Sequence, residues 1–414
     1  MNAVTLAEES LRQSGFYVPQ FEVRIEGAGL PRNVLRDVVQ LTYKDNIKEI
    51  DGFEITVNNW DAATRAFKYC GSETAADLKG SGVDSQRYRL FEPCNKEVQV
   101  WMGYAGDLRL MLKGTFTTME PNFTANGPPT LNIRGLNALH QLRRKQYSTT
   151  WGDKRDSEIA KNIATLTDKD LGKDKKRFPL PIVVDDNALG REDALPFVAQ
   201  KNQYDIDFLL ARALRLGYVV YVSEGDPNAA SADAKKPHVY FGPSDSRTPG
   251  RRDVTFELKW GVSLTDFKPT LTTANQIKSV TVNGWDRAKK KAITAKATLD
   301  DKELNINADM HELLNSCDPR EEVVVDKPVY TEKDAKQLAQ AILKDRAKEI
   351  VKAAGTCVGL PDLRAGCKVE ISGLGARFDG TYFVTDTSHT LNDSGYVTKF
   401  NARREVTGAL GGLA

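Results

Sequence analysis

Two pairs of carboxylates are the residues best suited to acid–base chemistry. Asp205 and Asp207 stand two positions apart, and Glu321 and Glu322 are adjacent. Glycoside hydrolases use two such groups, one as a general acid and the other as a base or nucleophile. Asp205, however, precedes an amphipathic run and fits a helix cap, with Asp207 in the first turn. Glu321 and Glu322 lead into a run of valines, which favours two solvated side chains.

His389 is the histidine that could act as a general base. The sequence gives it no serine, cysteine or aspartate partner in an arrangement typical of nucleophilic catalysis. A structural histidine within a hairpin is therefore favoured. Gly373 and Gly375 lie between strands and open no helix, which argues against a dinucleotide site. We predict a protein that is not an enzyme and has no catalytic residue, cofactor or metal site.

The cysteines indicate a reducing compartment. Their number is odd, none belongs to a CxxC pair, and the histidines are far apart, so a zinc site is not predicted. Cys357 and Cys367 flank a turn rich in Gly and Pro and could pair if oxidised, but free thiols are expected in a reducing cytoplasm. The full set is Cys70, Cys94, Cys317, Cys357 and Cys367.

Length and composition are those of an ordinary globular protein. The 414 residues suffice for about two to four domains. The net charge of +2 creates no field toward nucleic acid or membrane. No apolar run reaches the roughly 18 residues of a membrane helix, and the N-terminus lacks the apolar core of a secretory signal. The basic clusters at 143–145, 173–177, 251–252 and 289–291 are dispersed without interleaved aromatics, so we expect solvated surface and no specific nucleic-acid site.

The elements that would position these residues are mostly strands. Residues 1–19 resemble a loose arm. Over 20–135, apolar residues alternate with polar ones in seven or so short runs separated by turn residues, as at Phe53, Ile55 and Val57. This pattern is typical of a barrel or sandwich.

The rest of the chain adds helices. Over 136–250 the pattern is mixed α/β, with one helix begun by Asp205 and another capped by Asp193 and opened by Pro196. Residues 251–414 return to strands but contain one strong helix over 332–353. Thr331 is its expected cap, with Asp334 in the position of a capping-box acid, and Gly355 is expected to end it.

The stretch from Val369 to Arg404 predicts two or three antiparallel strands, because apolar residues alternate between Gly, Asn and Asp clusters. Its spacing resembles the end of the phage late control protein D family, the hub proteins of contractile tails and relatives of the base of type VI secretion spikes. Earlier segments, such as FEVRIEGAGLP and FVAQKNQYDIDFLLARALRLGYVVYV, resemble the family in the same order along the chain. The residues that carry the C-terminal pattern are Phe378, Gly380, Tyr382, His389, Gly395, Tyr396 and Phe400.

The resemblance implies a fold class and an assembly. The fold would be α+β and mainly β, with two similar antiparallel β-barrel, tube-like domains and α/β insertions, and the family motif residues would be structural. The assembly would be a homotrimer whose six near-equivalent barrels let a hexameric inner tube sit on a trimeric spike. Its partners would be further copies of itself, the inner tube protein, a spike protein and the baseplate wedge proteins.

The family also sets expectations about location. Type VI relatives continue into a further barrel and a β-helical needle, whereas this sequence ends at Ala414. We therefore expect a separate spike chain, and a hub that is assembled in the bacterial cytoplasm into a phage tail or an extracellular contractile injection particle. Two alternatives stay open: a cell-wall hydrolase carried by a tail hub, and a nucleic-acid-binding tail component.

Overall fold

A computed structural model of the chain describes residues 2–5, 18–93, 96–171, 175–187, 190, 192–223, 236–244, 254–286, 289–304, 308–316 and 320–404. Most of the predicted arm over 1–19 lies outside these ranges, as do Cys94, Cys317 and the basic cluster at 251–252. Among the described residues, no helix has both the length and the apolar character needed to cross a bilayer.

The first third of the chain is built mainly of strands. These are β1 (Asn2–Thr5), β2 (Pro19–Ile25), β3 (Ala28–Gly29), β4 (Val38–Asn46), β5 (Gly52–Asn58), β6 (Trp60–Asp61), β7 (Ala66–Phe67), β8 (Glu97–Tyr104), β9 (Asp107–Asn122) and β10 (Thr130–Asn137). Short helices connect some of them: α1 (Arg32–Asp37), α2 (Ala75–Leu78) and α3 (Ser85–Tyr88).

The middle region alternates helices and strands. It contains a 3-10 helix (Ala138–Arg143), β11 (Gln146–Lys154), α4 (Asp156–Ile163), a 3-10 turn (Lys169–Leu171), β12 (Ile182–Val184), β13 (Leu195–Tyr204), α5 (Asp205–Leu216), β14 (Tyr218–Ser223) and β15 (His238–Pro243).

The last third returns to strands around one long helix. Its elements are β16 (Val254–Lys259), β17 (Leu264–Leu271), β18 (Ser279–Asp286), β19 (Lys291–Thr298), a 3-10 turn (Lys302–Leu304), α6 (Ala308–Asn315), β20 (Glu321–Val324), α7 (Glu332–Lys348), β21 (Val351–Val358), β22 (Lys368–Ser372), β23 (Gly380–Asn392) and β24 (Gly395–Arg404).

Two groups of six strands share one large sheet. The N-terminal unit has the spatial order β4-β5-β10-β9-β8-β2, and the C-terminal unit has the order β17-β21-β24-β23-β22-β16. If the six strands of each unit are numbered along the chain, their order across the sheet is the same in both units: second, third, sixth, fifth, fourth, first. The units differ in their first strand, since β2 runs antiparallel to β8 whereas β16 runs parallel to β22. An antiparallel pairing of β4 with β23, which we call the seam, joins the two units.

The likeness of the two units extends to their irregularities. The ladder between β9 and β10 is interrupted by a bulge that leaves Thr117 unpaired, and the ladder between β23 and β24 is interrupted at Thr385. Thr117 Oγ1 donates a hydrogen bond to Arg134 O at 3.3 Å, and Thr385 Oγ1 donates to Asn401 O at 3.2 Å. The same bulge with the same side-chain bond thus occurs at the same place in both units.

The predicted class is confirmed: the protein is α+β and mainly β, with two similar, mostly antiparallel β units and α/β segments between them. In the part of the chain that the structure describes, strand ladders do not close either unit into a barrel. The first and second strands of each unit form no ladder with each other.

Alternating inward side chains build the cores. In β5, Phe53, Ile55 and Val57 are buried while their neighbours are partly exposed, as period-two alternation predicts. In the C-terminal unit, α7 adds Leu338 and Leu343 to the core formed by the strands. The middle region has its own core.

Two helix predictions need correction. The helix predicted over 332–353 ends at Lys348, and β21 begins at Val351, where alternate residues are buried against the sheet. The predicted helix with cap Asp193 is wrong, because Leu195–Tyr204 is the strand β13, paired antiparallel with β11. A proline near a strand's start needs no ladder bond from its nitrogen, so Pro196 fits either element.

The helix predicted at Asp205 is confirmed, with a shift of one residue at its start. Asp205 is the first helical residue and Tyr204 is the N-cap. Gly217 ends the helix at φ 69°, a left-handed conformation that glycine adopts without strain.

Candidate assembly surface

His389 lies in β23 at the seam and has no exposed surface. Its Nδ1 is 2.9 Å from Tyr396 Oη, and its Nε2 is 3.0 Å from Leu363 O. Burial raises the pKa of Tyr396 well above its usual range, so the phenol stays protonated and can donate to the ring. With no exposed surface and both ring nitrogens in hydrogen-bond contact, His389 is held inside the packing of the seam.

Asp45 joins three parts of the chain at the seam. Its carboxylate is on β4, is 3% exposed, and accepts hydrogen bonds from Ala365 N at 3.2 Å and from the Thr387 hydroxyl of β23. A buried carboxylate with several donors is stable where an unpartnered one would not be. Sequence reasoning missed this residue, although it continues the inward series of Leu41 and Tyr43, where a carboxylate is unusual.

Arg364 ties the loop between β21 and β22 to the N-terminal unit. Its two terminal nitrogens donate to Met111 O and Leu110 O of β9, each at 3.0 Å. The guanidinium also lies 4.7 Å from the centroid of the Tyr43 ring, a cation–π distance. The loop is therefore bonded to β9 as well as to β4, and the two units meet through a polar, hydrogen-bonded contact.

The remaining motif residues shape the strands that form the seam. Tyr382 is fully buried, donates to Phe378 O at 2.8 Å, and its burial raises the pKa to about 12. Gly380 and Gly395 have φ values of 129° and 118°, which favour glycine at the first residues of β23 and β24. Phe400 is 2% exposed and packs on β21.

The face of the sheet opposite the cores is polar and continues across the seam. A groove on this face is lined by residues of both units, including Lys44, Glu54, Arg134, Asp386 and Lys399. Arg134 Nε lies 3.4 Å from a Glu54 oxygen, and Asn401 donates to Asp386 at 2.7 Å. The groove therefore carries charges of both signs along its lining, and Arg134 and Glu54 form an ion pair within it.

The carboxylates considered for acid–base chemistry do not converge on a common cleft. Asp205 is buried, accepts from Gln200 Nε2 at 2.8 Å, and burial raises its pKa. Asp207 faces Arg143 at 3.3 Å on the surface. Glu321 accepts from Thr281 at 2.6 Å, on a different sheet.

Other candidate groups are also held in structural contacts. Glu322 lies 3.3 Å from Arg346 Nε. Gly373 and Gly375 sit in the turn before β23 with positive φ. Cys357 and Cys367 are buried, and their sulfurs lie near different carbonyl oxygens, those of Thr398 and Asp362. Among the described residues, no group of three or more His, Cys, Asp or Glu side chains is arranged to hold a metal ion.

Solved structures similar to this chain include phage tail proteins and a component of the type VI secretion system. A tail protein from Neisseria meningitidis matches with a TM-score of 0.60 and 13% identity, over 94% of this chain and 97% of its own. The 43 kDa tail protein of prophage MuSo2 from Shewanella oneidensis matches with 0.60 and 12%, over 94% and 98%. An E. coli component of the type VI secretion system, described as similar to T4 bacteriophage tail proteins, matches with 0.50 and 11%, over 94% and 79%.

These likenesses define the class: the chain has the fold of phage tail proteins. The family described as "Alg8 N-terminal domain" matches residues 17–393, and the chain belongs to that family. That description names a domain and states no activity. No curated protein sequence matches the chain.

Proposed function

We propose that this protein is a structural baseplate hub of a contractile tail or injection system, of the late control protein D type. The observation that carries the proposal is the duplicated unit: one chain builds the same six-strand arrangement twice and joins the copies in a single sheet. The fold shared with phage tail proteins supports the same assignment.

The duplication suits a symmetry adaptor. Three chains carrying two near-equivalent units each would present six similar seats on a threefold object, because head-to-tail contacts close a ring when the rotation fits. One side of that ring would receive a hexameric inner tube, and the other a trimeric spike. Baseplate wedge proteins would bind its outer surface.

The polar face of the shared sheet is the proposed channel lining. Its charges of both signs, such as Lys44 and Glu54, are interspersed. Such a surface holds no charged cargo strongly, because attraction to one group is offset by repulsion from its neighbour. We propose that tube contents pass through without being retained.

A non-enzymatic role is part of the proposal. The candidate acids are engaged in helix starts and surface ion pairs, and His389 has no exposed surface. This supports a structural hub over a cell-wall hydrolase.

The decisive experiment combines the purified chain with the inner tube protein of the same particle. Electron microscopy is expected to show the chain capping one end of each tube. Binding along the tube wall, or no binding together with clearing of peptidoglycan on a zymogram, would overturn the hub assignment. A steep loss of DNA retention with added salt would instead favour the nucleic-acid-binding alternative.

A further inference from the structure

Two strand edges of the shared sheet have no partner within the described part of the chain. Strand β9 pairs with β8 only from Asp107 to Thr115, so the same edge is open over 116–122. Strand β17 pairs with β21 on one side, and on its other edge Leu264 makes an isolated bridge with Trp260, beyond which the edge is open over 265–271. Open edges carry unpaired N–H and C=O groups and are natural sites of strand addition.

The structure shows what covers the equivalent edges inside one chain. In the C-terminal unit, β22 pairs with the first part of β23, ending at Phe383. Beyond that point the same edge of β23 is covered by β4, from Asp386 to Asn392. Strand β9 corresponds to β23, because each is the fifth strand of its unit, and β17 corresponds to β4, the second strand. The open edges of β9 and β17 therefore correspond to the edges of β23 and β4 that pair with each other at the seam.

We propose that the open edge of β9 pairs antiparallel with β17 of a second copy of this chain, repeating the seam between copies. This inference rests on the proposed trimeric hub, and it specifies the strands and register that would close the ring.

The register follows from matching irregularities. On β9 and β23, the bulges at Thr117 and Thr385 align Glu120 with Ser388. On the second strands, β4 has a register shift after Val38 and β17 has one after Leu264. That alignment makes Thr270 the counterpart of Lys44, which faces Ser388 at the seam. Glu120 should therefore lie opposite Thr270 of the next copy.

The side chains of the two edges suit this register. On the core side, three apolar residues at the β9 edge would meet three apolar residues at the β17 edge. All six are at least partly exposed in the single chain. Phe123 is 56% exposed and Leu271 is 39% exposed in the single chain, and pairing would cover both. On the polar side, Glu120 would be diagonal to Lys268, a favourable charge pair. The expected core-side pairs are Met119 with Leu271, Pro121 with Pro269, and Phe123 with Phe267.

The two prolines make the contact between copies weaker than the seam. At the seam, Ile47 N donates to Thr385 O, so Tyr43 and His389, four residues further along the ladder, form a hydrogen-bonded pair. Their counterparts are Pro269 and Pro121, which have no N–H to donate. The Asp45 position is taken by Leu271 in the new contact. The seam is therefore polar, and its backbone keeps the hydrogen bonds of this pair. The contact between copies is apolar and lacks them. We therefore expect the ring to open between copies before it opens at a seam.

Cysteine cross-linking tests the register. The pair Glu120→Cys and Thr270→Cys, introduced in one chain, replaces two exposed residues that would be non-hydrogen-bonded neighbours, with Cα atoms about 4.5 Å apart. Within one chain the two strands are seven steps apart along the sheet, roughly 30 Å, so a disulfide between them must join copies. Oxidation is expected to give covalent dimers and trimers on a non-reducing gel.

A shifted pair is the matched control. Glu120→Cys with Asp266→Cys moves one thiol four residues along β17, roughly 13 Å, and is expected to give no cross-link. The unaltered chain and each single-cysteine variant show how much cross-linking the native cysteines give by themselves. Asn122→Cys with Lys268→Cys is a second matched pair, in case the first variant does not fold.

Two outcomes overturn the pairing. One is equal cross-linking of matched and shifted pairs. The other is that neither matched pair gives a covalent trimer although the protein is folded. This outcome counts against the pairing whether light scattering shows a trimer or a monomer. A trimeric chain without cross-links leaves the hub assignment standing, because tube capping tests that assignment separately.

Discussion

Glu192 is a buried carboxylate whose ionisation opposes folding. It is 4% exposed and accepts a hydrogen bond from Ser157 N at 2.9 Å. Burial raises the pKa of Glu192 above its usual value, and the charge of Asp156 adds to the rise. The folded state therefore holds this proton more tightly than the unfolded chain does. Stability from this group is present at low pH and is lost as pH rises through the folded pKa.

Glu192→Gln removes this titration and keeps the side-chain shape. Relative to the unaltered protein, the variant should gain stability as pH rises from about 4.5 to about 7.5. The measurement is the urea midpoint of both proteins at several pH values in that range. Glu332→Gln, in an exposed carboxylate of α7, is the control. A difference between variant and parent that does not change with pH would contradict the assignment.

At the scale of elements, the boundary between α7 and β21 shows what the sequence could and could not reveal. Thr331 accepts a hydrogen bond from Asp334 N at 3.0 Å, so the start of the helix was predictable from local chemistry. Its end was not, because 351–358 contains apolar residues compatible with helix and strand alike. Residues 351–358 form a strand because they pair with β17 on one side and β24 on the other.

Gly355, expected to end a helix, instead lies in β21 beneath an aromatic ring. A Cβ added there would lie 2.4 Å from Cζ of Phe400, which is 2% exposed and cannot move aside cheaply. Gly355→Ala should therefore destabilise the fold by about 1–3 kcal/mol, despite the better strand propensity of alanine. Gly152→Ala in β11 is the matched control, because its nearest neighbour would be 3.7 Å away. Equal thermal midpoints for the two variants would refute the packing argument.

Long-range pairing explains most of what sequence reasoning missed. Alternation in β5 and in β23 was visible in the sequence, as was the helix begun at Asp205 and ended by Gly217. Nothing local indicates that β4 pairs with β23, since Thr42 and Thr390 are partners across 348 positions. The roles of Asp45 and Arg364 follow from that pairing, so they could not be found before it.

At the scale of the whole molecule, the seam decides whether the two units behave as one body. It combines a strand ladder with a buried polar cluster around Asp45, His389 and Arg364. A ladder alone joins two sheets by backbone bonds that do not depend on side-chain identity. The cluster adds bonds that only this register satisfies, so it fixes how the units are aligned.

Asp45→Ala tests that alignment directly. It removes the buried carboxylate that accepts hydrogen bonds from Ala365 N and the Thr387 hydroxyl, at a cost of about 1–3 kcal/mol. We expect amide exchange in residues 38–46 and 380–392 to accelerate roughly tenfold or more, while β5 and β10 keep their protection. Asp393→Ala, in the exposed turn after β23, is the control and should leave both segments unchanged. Uniform loss of protection would mean that Asp45 supports the whole fold; unchanged protection would mean that the ladder alone holds the units together.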